Sequence, residues 1–264
     1  MTTRVIMTMI TMAPITMAPI TTTMTMDESA REAGAADGAI ADWLGPLLAW
    51  LSPSYPTGGF SYSHGLEWAV EAGWVHDVAS VVDFVAAVVE AGGGWVDLVL
   101  FVAAWRAVLA DDAAALDDIA DRAAAFRGSA ETAAESNHQG AAFATVTMAA
   151  WPRPALTALW RRRQDAPLAH PVAVAVACAG LVPLSVALPG FCHALAANLV
   201  SAGVRLVPLG QTDGQRALAA LVPVIRRATA AALVTDLDDL GTSVPLVERA
   251  SMRHETQYTR LFRS

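Results

Sequence analysis

The sequence predicts an all-α fold: a single compact multi-helix bundle domain of roughly ten helices, with no sheet. Apolar residues recur along the chain at helical spacing and not in the alternation of strands. Alanine and leucine, which are strong helix formers, are abundant. Capping residues, glycines and prolines separate the apolar segments. With 264 residues, 55% of them apolar, the chain is long enough to bury a sizeable core.

The first 38 residues differ from the rest. Residues 1–26 contain seven of the nine methionines and many threonines, and the pentamer TMAPI occurs there twice in tandem. This stretch has no compact apolar run long enough for a signal peptide. We interpret residues 1–38 as a disordered Thr/Met-rich extension and polar leader, with Met26 as an alternative start. The folded domain is expected over residues 39–264.

Helices of the first half follow from apolar spacing and from caps. Asp77 and Ser129 are N-cap residues placed just before apolar-periodic segments. Glycines 92–94 end one of these segments. An acidic start and a basic end favour a helix over 111–127, because they complement the helix dipole. The predicted helices of this half cover 41–52, 78–91, 95–110, 111–127 and 130–151.

The second half contains an uncharged run. No Asp, Glu, Lys or Arg occurs from Ala166 to Val204. Prolines divide this run, so we expect a buried helix pair over 168–204, with membrane helices as the alternative. Thr212 and Gln215 have capping-box spacing and predict a helix over 213–234. Ser243 and Pro245 predict the start of the last helix.

Composition excludes several classes of function. A formal net charge of −8 argues against a nucleic-acid binder. Two cysteines without a CxxC motif indicate a reducing cytoplasm. All 17 basic residues are arginine, and therefore the chain has no Walker A lysine, no lysine for a pyridoxal Schiff base and no kinase lysine. None of these three chemistries can be carried out by this chain alone.

The segment LSPSYPTGGFSYSHGLEWAVEAGWV, residues 51–75, is the first candidate site. Its prolines and glycines force a turn, after which a helix should begin near Ser61 or Ser63. On such a helix His64, Glu67 and Glu71 would share one face and could hold a metal ion. The alternative is a capped helix whose carboxylates are solvated or paired with arginine.

Two further segments are candidate partner surfaces. In residues 198–216, Arg205, Gln211, Gln215 and Arg216 surround a tight turn, which is either architectural or a polar ridge offered to a partner. In residues 251–264, SMRHETQYTRLFRS, a helix would place Tyr258, Leu261 and Phe262 in one apolar stripe among arginines. Aromatic residues and arginine dominate protein interfaces. The pattern leaves docking on a partner and docking on its own domain equally open.

These segments together resemble the urease accessory protein F family. The stretches SPSYPTGGFSYSHGLEWAVEAGWV, NLVSAGVRLVPLGQTDGQR and SMRHETQYTRLFRS look like its three signature regions, in the same order and spacing. The similarity runs from Trp43 to Ser264. Residues 1–38 have no recognisable counterpart. The resemblance implies a partner GTPase. Because the chain has no lysine, any basic side chain with which it acts on that GTPase would be an arginine.

The resemblance implies a non-catalytic helical scaffold, dimeric in its complex, that takes part in nickel-dependent urease maturation. It implies partners: a D/H-type accessory protein, a G-type GTPase and apo-urease, with neither nucleic acid nor membrane involved. It implies no resident cofactor or metal ligand, since nickel would be passed along. A metal-binding chaperone using His64, Glu67 and Glu71 is the alternative. Candidate partner-binding residues are Phe60, Ser61, His64, Glu67, Arg205, Gln211, Gln215, Arg216, Ser251, Arg253, His254, Glu255, Gln257, Tyr258, Arg260, Leu261, Phe262 and Arg263.

Overall fold

Helices form almost all the regular structure in the described part of the chain. A computed structural model describes residues 42–164 and 166–264. Within these ranges there is no strand, so the all-α prediction is confirmed. The extension and leader predicted over residues 1–38 lie outside the described residues. The first described helix, α1, covers 42–50.

Ten further α-helices follow α1, and most lie close to their predicted positions. Two short 3-10 helices, Gly59–Ser61 and Leu237–Asp239, lie in the segments before α2 and before α11. In chain order the helices are α2 Leu66–Glu71, α3 Val78–Ala91, α4 Gly93–Leu109, α5 Ala113–Ala125, α6 Ala130–Ala150, α7 Pro154–Arg163, α8 His170–Cys178, α9 Leu184–Leu206, α10 Gln211–Ala232 and α11 Pro245–His254.

The predicted caps of α3 and α6 are confirmed. The Asp77 side chain accepts a hydrogen bond from the Ser80 N–H, and the Ser129 side chain accepts one from the Thr132 N–H. The capping box predicted for α10 is wrong. That helix begins at Gln211, and the Gly210 N–H donates to Asp213 Oδ2 at 3.3 Å. The N-cap therefore lies two residues earlier than the sequence pattern indicates.

The uncharged run supplies the centre of the core. Every residue of α8 from Pro171 to Cys178 is buried, and α8 packs against α4 and α6. A second group of helices, α3, α9 and α10, packs together beside them. Val78–Leu109 and Leu184–Leu206 are each long and apolar enough to cross a membrane by length and composition alone. Val78–Leu109 consists of α3 and α4, and 67% of its most apolar window is buried inside the domain, as in core helices; the figure for Leu184–Leu206 is 39%.

Candidate functional site

The turn before α2 positions the first candidate segment. Gly58, His64 and Gly65 have positive φ angles of 77°, 55° and 79°. Because these residues leave the helical region, α2 begins at Leu66 and not near Ser61 or Ser63 as predicted. A Cβ on Gly65 would lie 2.4 Å from the Ser251 backbone nitrogen, so only glycine lets α11 approach this closely.

The face predicted to join His64, Glu67 and Glu71 does not form. His64 precedes the helix, and its Nδ1 lies 3.1 Å from Glu135 Oε1. Glu71 Oε2 instead accepts a hydrogen bond from Gln257 Nε2 at 2.5 Å. Across residues 42–164 and 166–264, no three His, Cys, Asp or Glu side chains form a group that could hold a metal ion. The prediction that His64, Glu67 and Glu71 share a metal-binding face is therefore wrong.

The tail segment, residues 251–264, is not a continuous helix. Helix α11 ends at His254, and turns and bends follow it. Tyr258 is fully exposed and Leu261 is 67% exposed, whereas Phe262 is only 4% exposed and belongs to the hydrophobic core. The helical stripe predicted for these three residues is wrong, because Phe262 faces inward and the other two face solvent. The tail is docked on its own domain.

The Glu67 carboxylate holds the end of the tail through two backbone hydrogen bonds. Its Oε1 accepts from the Leu261 N–H at 2.6 Å, and its Oε2 accepts from the Phe262 N–H at 2.8 Å. The residue is only 7% exposed. Hydrogen bonds to a buried carboxylate are stronger than neutral ones, since the acceptor carries a full charge. Glu67 therefore fixes the tail backbone in its non-helical conformation.

His254 joins the Glu67 carboxylate to a second one from α6. The imidazole is fully buried, with Nε2 3.0 Å from Glu67 Oε2 and Nδ1 2.6 Å from Glu131 Oε2. The other oxygen of Glu131 lies 2.6 Å from Arg260 Nη1. One connected set of hydrogen bonds thus joins helices α2, α6 and α11 to the tail. We call its four residues the tail clamp: Glu67, Glu131, His254 and Arg260.

A second set of polar contacts holds the last residue. The Ser63 N–H donates to the main-chain oxygen of Ser264 at 2.8 Å, and the Ser63 hydroxyl donates to the same oxygen. The Ser264 hydroxyl donates to Glu135 Oε2 at 2.6 Å. Burial alone would lower the pKa of His64 and raise the pKa of Glu135. Their mutual attraction outweighs burial, so the pKa of His64 is raised and the pKa of Glu135 is lowered.

Arg205 connects the ridge, the turn and the tail. Its guanidinium carbon lies 3.6 Å from the centroid of the Phe60 ring and 4.4 Å from that of the Phe262 ring. Its Nη1 donates to the Phe60 carbonyl oxygen at 2.9 Å. Such stacking is favourable because the ring faces are negative. Arg205 is therefore packed in place against the turn and the tail.

We give the name tail–turn surface to Phe60 of the turn and the exposed tail residues 258–261 and 263. Phe60 is 65% exposed and Leu261 67% exposed, although Phe262 beneath them is buried. Arg260 and Arg263 on the same segment are exposed. The surface thus combines apolar and cationic side chains on a backbone that the tail clamp fixes.

The remaining candidates are divided between exposed and structural positions. Gln211, Gln215, Arg216 and Arg253 are exposed, and Arg216 pairs with Asp213 at 2.7 Å. Structural contacts occupy three others: the Arg263 N–H donates to the Ser61 carbonyl oxygen, Ser251 Oγ lies 2.6 Å from Ser129 Oγ, and Glu255 accepts from the Ala130 N–H.

Sequence reasoning missed the two carboxylates of α6 that bind these segments. Glu131 and Glu135 lie four residues apart, a spacing that places both on one face of α6. The sequence gives no sign that this face is buried, because alanines occur on every side of the helix. Burial of Glu135 with His64 and Ser264 arises only when segments far apart in the sequence meet.

Comparison with known proteins gives one consistent result. The family model UreF matches residues 75–222, more than half of the chain. A urease accessory protein UreF of Granulibacter bethesdensis is 52% identical over 240 residues, covering 90% of this chain and 100% of that protein. Proteins of the same name from Rhodopseudomonas palustris strain BisA53 and Bradyrhizobium sp. strain ORS 278 are each 47% identical, covering 89% and 91% of this chain and 99% and 100% of their own lengths.

Proposed function

The chain belongs to the UreF family of urease accessory proteins, and from this premise we propose that it is a non-catalytic scaffold of urease maturation. In this role it binds a D/H-type accessory protein, recruits and modulates a G-type GTPase, and so assists the delivery of nickel to apo-urease. The observation that carries the proposal is family membership over nine-tenths of the chain.

The use of ionisable residues near the tail supports a scaffold. Glu67 and His254 bind each other, and Glu67 also accepts hydrogen bonds from the tail backbone. His64 and Glu135 form a second buried pair that contacts the last residue. General acids and bases need access to a substrate proton. These side chains are committed to structural contacts, which is the arrangement expected of a rigid binding surface.

We propose that the tail–turn surface is the docking site of the D/H-type accessory protein. Tyr258 and Leu261 are exposed apolar side chains, and Arg260 and Arg263 lie beside them. Tyrosine and arginine are enriched in the residues that contribute most to binding. The tail clamp fixes this segment before the partner arrives, and this reduces the conformational entropy lost on binding.

The ridge is the proposed second contact within the assembly. Gln211, Gln215 and Arg216 are exposed on the first turns of α10, next to Arg205. We assign this surface to the G-type GTPase, with an arginine as the group able to reach a nucleotide because the chain has no lysine. We further propose a homodimer in the complex, a cytoplasmic location, and nickel as a cargo that the assembly passes to urease without stable binding to this chain.

The proposal is tested by urease activation in a host that carries a urease operon lacking this protein. A variant with Leu261→Asp and Tyr258→Ala changes only exposed side chains of the tail. Its control is Val234→Asp, which changes a residue that is 85% exposed and lies after α10. We expect the tail variant to lose most urease activity at unchanged protein level, and the control to keep it. Full activity of the tail variant would refute the docking site.

A further inference from the structure

The imidazole of His254 lies between two carboxylates beneath the tail. The side chain is fully buried, and each ring nitrogen faces a carboxylate oxygen: Nε2 is 3.0 Å from Glu67 Oε2, and Nδ1 is 2.6 Å from Glu131 Oε2. Both distances are within the range of hydrogen bonds. The imidazole therefore has an acceptor on each side and no access to solvent.

Other donors hold both carboxylates in their ionised form. Glu67 accepts hydrogen bonds from the Leu261 and Phe262 N–H groups, one on each of its oxygens. Glu131 Oε1 lies 2.6 Å from Arg260 Nη1. Backbone donors and a guanidinium directed at a carboxylate favour its charged form. Neither carboxylate is thus expected to supply a proton to the imidazole contact.

A neutral imidazole cannot satisfy both contacts. It has one N–H, so its other nitrogen would direct a lone pair at a carboxylate oxygen. An imidazolium has an N–H on each nitrogen and can donate to Glu67 and Glu131 together. With Arg260 it also balances the two negative charges of the tail clamp, and buried charges need to be paired. The geometry therefore favours a doubly protonated His254.

The elements that pack on α11 bring no competing group to this imidazole. Only Glu67 and Glu131, among the described residues, have carboxylate oxygens within salt-bridge distance of it. The other ionisable side chains of α2, α3 and α6 are exposed or bind other partners: Glu71, Asp83, Glu90, Glu135 and His138.

We propose that His254 positions the tail as an imidazolium, and that loss of one of its protons releases the tail backbone from Glu67. The contacts that need the second proton are present at low pH and are lost as the pH rises. The docked tail is then a pH-sensitive element of the fold. This property belongs to the chain by itself, and partner binding to the tail–turn surface shares it only if the proposed function is correct.

A second buried imidazole, that of His64, acts on the last residue of the tail in the same direction. Burial opposes its charged form, but attraction to Glu135 outweighs burial and raises the pKa of His64; Asp97 and Arg127, which pair with each other, act in opposite directions. Its charge therefore stabilises the folded chain below about pH 6.5, and this contribution is lost as the pH rises further. Glu135 binds the hydroxyl of the last residue, so a variant of His254 separates the effects of the two imidazoles.

Nitrogen-15 NMR of the full chain labelled at histidine tests the protonation of His254. The variant His254→Gln identifies its signals by removing them. We expect two protonated ring nitrogens at about pH 6 and one bare nitrogen at about pH 9. A bare nitrogen at about pH 6 would overturn the proposal, because the tail clamp would then form without an imidazolium.

Trypsin cleavage after Arg260 tests release of the tail, because the Leu261 nitrogen of that peptide bond binds Glu67. At each pH the cleavage rate is divided by that of a free peptide of residues 251–264, which corrects for the pH dependence of the protease. In the wild type this ratio should rise at least about tenfold from about pH 6 to about pH 9. It should be high at every pH in His254→Gln, whereas His193→Gln, which replaces an exposed histidine of α9, should match the wild type.

A wild-type ratio that does not change with pH would contradict the proposal. The same holds if His254→Gln keeps the wild-type pH dependence, since another group would then control the tail. Circular dichroism shows whether this variant folds; if it does not, the wild-type profile and the NMR result decide. The measurements use the chain alone, so their failure leaves the docking proposal standing, and loss of partner binding would not affect their outcome.

Discussion

Replacement of Glu67 by glutamine tests the tail clamp directly. The carboxylate accepts two backbone hydrogen bonds, from Leu261 and Phe262, and contacts His254 Nε2 at 3.0 Å. A glutamine amide keeps one acceptor oxygen and places an NH2 group against one of these donors. The change also removes the negative charge that faces the imidazole. About two charge-assisted contacts are lost, each worth about 1.5–3 kcal/mol.

The expected cost is therefore about 3–6 kcal/mol, which raises the population of released tail by a factor of about 100 or more. Trypsin offers a direct assay, because the chain has no lysine and cleavage after Arg260 and Arg263 reports on the tail. Both side chains are exposed, so protection depends on the backbone being held. Mass spectrometry follows the cleaved fraction with time, and hydrogen exchange at residues 261 and 262 gives an independent measure.

Glu71→Gln is the matched control for this experiment. Glu71 lies on the same helix, is exposed, and accepts one hydrogen bond, from Gln257. Its replacement should cost less than about 1 kcal/mol and change tail cleavage less than tenfold. Cleavage and exchange in Glu67→Gln that match the wild-type rates would refute the reasoning, since the tail would then be held by other contacts.

Three further predictions concern the stability of the fold. Gly65→Ala should lower the melting temperature much more than Gly73→Ala, since both have positive φ but only Gly65 lies against the Ser251 backbone. Ser129→Ala should cost about 1 kcal/mol in denaturant unfolding through loss of the α6 cap. Burial lowers the pKa of His170 to about 4. As the pH falls, this imidazole is therefore protonated in the unfolded chain before it is protonated in the folded chain. Stability should fall by about 3 kcal/mol between about pH 6.5 and pH 4, and His170→Phe should reduce that loss in acid denaturation.

Most of the fold could be predicted from the sequence because its signals are local. The caps of α3 and α6 are formed by Asp77 and Ser129 with residues three positions later, so sequence spacing alone identifies them. The uncharged run over 166–204 also predicts burial from the local sequence alone, because burial of apolar side chains is favourable wherever they occur in the chain. The prediction for α10 failed because Gly210 and Asp213 form the cap instead of Thr212.

The site was much less predictable because distant segments define it. The tail resembles a helix in its spacing, but the Leu261 and Phe262 N–H groups bind Glu67, 194 and 195 residues earlier. A carboxylate partner at that separation has no local signature. The metal face failed for a related reason: the positive φ at His64 separates it from α2 and directs it to Glu135. The resemblance singled out these segments, but it does not give what their side chains contact.

Direct binding of the purified D/H-type accessory protein tests the central claim most closely. Its dissociation constant would be measured by calorimetry for the wild-type chain, for Leu261→Asp with Tyr258→Ala, and for the Val234→Asp control. The account predicts at least tenfold weaker binding for the tail variant and wild-type binding for the control, with unchanged melting temperatures. Equal dissociation constants for all three proteins would contradict it, because the tail–turn surface would then not be where this partner docks.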